Sequence, residues 1–161
     1  MNNNFKLFVH KISSPIRFGF FLATKLPAAF FVGLKLKQIN AQSCSILVKH
    51  SWFSKNPFKS VYFAAEAMAA EMSTGLLAFG HIYQRTPKVS MLVVKMEASY
   101  LKKGTGKLYF TTNDGDAVEA AINKAIATGE GQTLICRSVG TNENGETVAI
   151  FDFTWSFKSK Q

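Results

Sequence analysis

The chain has 161 residues, 47% hydrophobic and 18% charged, which suits one domain with a real core and excludes a disordered chain. A formal charge of +9 attracts anions in general, whether nucleic acid, acidic lipid or a phosphorylated cofactor. The bases are spread along the chain, the nearest cluster being Lys102-Lys103 with Lys107, so no nucleic-acid footprint is read from them.

Residues 1–14 are expected to be flexible. A helix follows over residues 15–26, with Ser14 as N-cap and Pro15 at the first helical position, and Pro27 ends it. Over residues 30–39 the pattern alternates, Leu34 and Leu36 against Lys35 and Lys37, which predicts a half-buried strand. The stretch from 16 to 36 is apolar enough to raise a membrane question. Lys25 and Pro27 interrupt it, and its clean run falls well short of the roughly 20 residues that span a bilayer, so no integral membrane segment is expected. A second strand covers residues 45–50. Cys44 and Cys136 stand outside any Cys-x-x-Cys pair and read as two reduced, buried thiols of a cytoplasmic protein.

Residues 60–79 form an alanine-rich helix, with Ser60 as N-cap and Gly80 just past its end. Only two charges occur along it, Glu66 and Glu71. A surface helix carries a charged stripe. This one has none, so it should be wrapped on most sides, and each glutamate must find a partner, reach a cleft or raise its pKa. The two stand five residues apart, about 140° around a helix, and face differently.

Strands are expected over 91–101 and 108–112, joined as a hairpin by the tight turn at 103–106. A second helix covers 117–128, with Val118, Ala121, Ile122 and Ala125 as its apolar stripe and Gly129 as its stop. The last two strands, 132–139 and 147–157, flank Asn144-Gly145, the signal of a type I′ turn. Phe151, Phe153, Trp155 and Phe157 share one face of the last strand. Fifteen phenylalanines point to a phenylalanine-packed core, an apolar ligand tunnel, or both. Three helical segments and a mainly antiparallel sheet of about six strands make one α+β domain over 1–161.

A long alanine-rich helix laid on a curved antiparallel sheet resembles the hotdog superfamily, in particular the branch near PaaI-type thioesterases known as DUF4442. The residues that carry the resemblance are Pro27 before the first strand, Gly33, Asn56-Pro-Phe-Lys-Ser60 ahead of the helix, and Ala70-Glu71-Met-Ser-Thr-Gly75 within it. Lys95, Tyr100 and Lys102-Lys103 complete it. The chain departs from the pattern at Lys59, where glycine is usual, and lacks the His-Gly-Gly of active PaaI-like enzymes.

The resemblance implies an acyl-CoA thioesterase without metal or other cofactor, working as a homodimer that can pair further into a tetramer. The thioester carbonyl would sit at the start of the central helix, on backbone N–H groups near Lys59, Ser60 and Val61. Tyr62 and Lys95 would join the substrate site, Asn56 would orient water or the carbonyl, and Glu71 or Glu66 would act as general base. Glu66 lies nearer the helix start; Glu71 fits the motif better and is preferred. Bland readings stand beside these. Either glutamate could pair with Lys95, Arg85 or Arg137, and Asn56 could be a turn residue ahead of Pro57. His10, His50 and His81 are too scattered for a metal site, and no RNA-binding motif occurs. The alternative function is a hotdog protein that binds an acyl or other apolar ligand without turning it over.

Overall fold

The structure, a computed structural model, describes residues 3–160. It opens with helix α1, Asn3–Ile12, where flexible chain was expected; Met1 and Asn2 of that expectation lie outside the described residues. Phe5, Phe8 and Ile12 recur at helical spacing and are buried. That burial fixes the segment. The Phe5 ring lies 4.8 Å from His81, and the Phe8 ring 5.3 Å from Phe79.

Helix α2, Pro15–Lys25, has Ser14 at its N-cap position and Pro15 in its first turn. Pro27 ends α2 but also opens a short helix α3, Pro27–Val32, over the first residues of the expected strand. Proline presets the first helical angle, and alternation begins only after Gly33.

The sheet consists of β1 (Lys35–Ile39), β2 (Cys44–Lys49), β3 (Val89–Tyr100), β4 (Lys107–Thr112), β5 (Gln132–Thr141) and β6 (Thr147–Ser159). Their order is β1-β2-β4-β5-β6-β3, every pairing antiparallel. The expected hairpin between β3 and β4 is not formed. Residues 101–106 cross the sheet end instead. There the Gly104 carbonyl accepts from Val61 N–H at 2.8 Å and the Gly106 carbonyl from His50 N–H at 2.7 Å. The long aromatic strand β6 takes β3 as its second neighbour. Between β5 and β6 the turn is not type I′. Gly145 N–H donates to the Asn142 carbonyl at 3.0 Å and Gly145 alone in the turn has positive φ, at 79°. This is a type I turn closed by a left-handed glycine.

Helix α4, Phe63–Ile82, lies against the sheet, and α5, Gly115–Thr128, packs on β5, β6 and α4. This is the hotdog fold. Small residues let α4 approach closely: Ala65, Ala69, Ala70 and Ala78 are buried, and Ser73 Oγ lies 2.8 Å from Ser138 Oγ. Phe110, Phe151, Phe153 and Phe157 fill the space beneath it. Helix α4 starts later and ends later than the sequence suggests. Ser60 does not cap it, because its side chain bonds to Asn56. Gly80 lies inside it, because α1 packs there: a Cβ on Gly80 would stand 2.5 Å from Phe5 Cε2. Cys44 and Cys136 are buried free thiols, and burial raises both pKa values, that of Cys136 to about 12.

Candidate active site

The loop from His50 to Tyr62 sets the start of α4. Ser54 Oγ donates to the Lys49 carbonyl at 2.6 Å, and Tyr62 N–H donates to the Ser54 carbonyl at 2.7 Å. Within the loop, Asn56 Oδ1 accepts from Phe58 N–H at 2.9 Å and from Ser60 N–H at 3.2 Å, while Asn56 Nδ2 donates to Ser60 Oγ at 2.9 Å. The Asn56 side chain is thus spent on holding its own turn, the blander of its two readings. Lys59 sits in the left-handed region, φ 59°. Glycine adopts that region without strain, so Lys59 is held there at a cost.

The N–H groups expected to receive a carbonyl are used. Lys59 donates to the Asn56 carbonyl, Ser60 to Asn56 Oδ1, and Val61 to the Gly104 carbonyl. The open donors come later. No side chain caps α4 at Tyr62, and the N–H groups of Phe63 and Ala64 have no acceptor among the described residues. The helix dipole adds partial positive charge at the same place.

A cavity of about 410 Å³ lies there, lined among others by Asn56, Ser60, Val61, Tyr62, Phe63 and Glu66. Tyr100, Lys102, Lys103 and Gly104 close its other side. Glu66 is only 3% exposed. Its Oε2 has no hydrogen-bond partner, and burial raises its pKa to about 7. Gly104 makes this geometry possible, since a Cβ there would stand 2.7 Å from Glu66 Oε1. The Tyr100 hydroxyl is held above its ordinary pKa, first by burial and then by the Glu66 charge.

Glu71 is elsewhere. It lines a smaller apolar pocket of about 180 Å³ with Phe21, Leu26, Met91 and Trp155, and burial raises its pKa too. Gly75, one turn on, leaves room for its carboxylate, as a Cβ there would be 2.9 Å from Glu71 Oε1. Neither glutamate takes the expected ion pair. Lys95 pairs with Glu97 at 3.0 Å, Arg137 with Asp152 at 2.7 Å, and Arg85 bonds to Asn123. Lys95 lies exposed on β3 and does not line the Glu66 cavity. Of the residues singled out from sequence, Asn56, Ser60, Val61, Tyr62 and Glu66 therefore share one cavity, while Glu71 and Lys95 do not. Lys59 belongs to the loop but is absent from the lining. Gly104 and Phe63 also line this cavity without standing out in the sequence; the one signal for Gly104 is the glycine-rich turn itself. Among the described residues, no three His, Cys, Asp or Glu side chains are grouped to hold a metal ion.

The family model for a domain of unknown function, DUF4442, matches residues 16–157. The chain belongs to the DUF4442 family. No curated protein matches it. Solved structures share the DUF4442 chain's fold at low identity. A probable thioesterase of Pseudomonas aeruginosa aligns at 17% identity and TM-score 0.76, covering 91% of this chain and 97% of its own. A thioesterase of Haemophilus influenzae aligns at 11% and 0.64, covering 91% of each. A thioesterase of Staphylococcus aureus aligns at 16% and 0.63, covering 86% of this chain and 98% of its own. That protein was solved with alanine in place of a glutamine and, separately, in place of a glutamate fifteen residues further along.

Proposed function

We propose that this DUF4442 protein hydrolyses acyl thioesters, with acyl-CoA as the substrate class. The observation that carries the reading is the cavity at the start of α4, where two unpaired N–H groups and a buried carboxylate with a free oxygen come together. The thioester oxygen accepts hydrogen bonds from Phe63 and Ala64 N–H, which hold the negative charge that grows as water attacks. Glu66 takes the proton of that water. The carbon–sulfur bond then breaks, leaving the acyl group as a carboxylic acid, and Glu66 returns the proton it took to the departing thiolate, which leaves as the thiol. A carboxylate with a pKa near 7 suits general-base work at neutral pH. Lys103, which lines the cavity beside the Lys102–Glu146 pair, suits the phosphates of CoA.

A second assignment of the base, Glu71, has its own support. Asn56 and Glu71 stand fifteen residues apart, the spacing of the two positions replaced in the Staphylococcus aureus thioesterase. In this assignment Glu71 serves the cavity of a second copy. The homodimer itself is favoured by β3, a twelve-residue edge strand with one unpaired side and exposed Leu92, Val94 and Met96.

Incubation with a panel of acyl-CoAs, read by free-thiol release, tests the function. Hydrolysis of at least one chain length is expected. Saturable binding of acyl-CoA with no thiol release over the whole panel would leave a ligand-binding protein in place of an enzyme.

A further inference from the structure

The charge of this chain is divided unevenly. Residues 1–65 contain nine Lys and Arg and no Asp or Glu, whereas residues 66–161 contain ten of each sign. The whole net charge of +9 thus belongs to the segment that forms α1, α2, α3, β1, β2 and the loop before α4.

Within that segment, α2 has two apolar faces. Phe18 and Leu22 are buried against the body. Ile16 and Phe20, four residues apart, point the other way and are 84% and 73% exposed. They flank an open groove of about 760 Å³ between α1, α2 and the end of α4, with Phe79 also in its lining. Three cations line the same groove, Lys11, Arg17 and Lys25, and no carboxylate does. An exposed apolar patch framed by charge of one sign marks a contact surface.

We propose that this groove docks on the surface of an anionic lipid bilayer, with Ile16 and Phe20 entering the headgroup region and Lys11, Arg17 and Lys25 meeting lipid phosphates. A helix with aromatic and aliphatic residues among basic ones suits that boundary. A second copy of the chain suits it less, because a symmetric contact would set three cations against three. Nucleic acid suits it less as well. Of the groove's two most exposed apolar side chains, only Phe20 offers a ring for a base to stack on, and its neighbour Ile16 is aliphatic, whereas a strand of bases needs successive rings. The inference is independent of the thioesterase reading.

Sedimentation of the full chain with vesicles tests it. The protein should pellet with equimolar phosphatidylcholine and phosphatidylglycerol, stay in solution with phosphatidylcholine alone, and be released by high salt. Phe20→Ser and the double change Arg17→Glu, Lys25→Glu should each weaken binding about tenfold or more, from lost apolar contact and reversed charge. Ile135→Ser, at an exposed residue on β5 outside the basic segment, should leave it unchanged, and melting curves should match for all variants. No pelleting with the anionic vesicles would overturn the proposal. So would equal loss in the Ile135→Ser control, or groove variants that instead break up an oligomer or abolish binding to single-stranded RNA.

Discussion

Two side chains hold conformations or charge states that cost free energy. Glu66 has a folded pKa of about 7, raised by burial from its ordinary 4.5. A raised acid stabilises the fold fully below the unfolded value, and that contribution is lost as pH rises through the folded one. The window is therefore pH 4.5 to 7, and the loss amounts to about 3 kcal/mol. Glu66→Gln removes it, so urea unfolding should show the variant gaining on the wild type between pH 5 and pH 8. An equal difference at both pH values would contradict a buried, neutral-to-charged Glu66. Lys59, with φ 59°, is the other. Lys59→Gly should raise stability by about 1 kcal/mol, because glycine adopts that region without a Cβ clash; thermal melts at matched pH would measure it. The two glutamates were legible as the places where chemistry could lie, since an apolar helix leaves a charge no ordinary use. Which of them shares a cavity with the helix start was not. That depends on Gly104, brought from β3–β4 to the Glu66 carboxylate by a connection that local sequence reads as a hairpin turn.

At the scale of elements, α4, α5, β2 and the pair β5–β6 could be read from periodicity and stop signals because each carries one clear pattern. Phe151, Phe153, Trp155 and Phe157 fall on one buried face, as their alternation requires. The N-terminal end was misread for two reasons. A stripe of Phe5, Phe8 and Ile12 is short, and only the packing partner, at Gly80 and His81, turns it into a fixed helix. Pro27 is ambiguous on its own, because proline ends one helix as readily as it begins the next. If α1 is an integral layer, Phe5→Ala should lower stability by about 3 kcal/mol or more, the usual result of emptying a buried phenylalanine site. A change below about 0.5 kcal/mol in urea unfolding would show that α1 is dispensable.

For the whole molecule, the two sheet edges differ. The β1 edge is five residues long and carries exposed Lys35 and Lys37, which discourage further pairing. The β3 edge is long, and its free side calls for a partner strand. Light scattering at micromolar concentration should report a dimer, and Met96→Pro should return it to a monomer by blocking one strand-to-strand contact. Fold class was legible from the order of elements alone, while the neighbour of β3 was not, because pairing with β6 links strands far apart in sequence. On the proposed mechanism, a carboxylate on α4 activates water beside the open helix start. That role is tested most directly by the pH dependence of acyl-CoA hydrolysis in wild type, Glu66→Gln and Glu71→Gln. Wild-type kcat should rise with pH to half its plateau near 7, and Glu66→Gln should lower it about 10²-fold or more. Loss confined to Glu71→Gln would move the base to the second assignment, and full turnover in both variants would contradict a carboxylate mechanism on this helix.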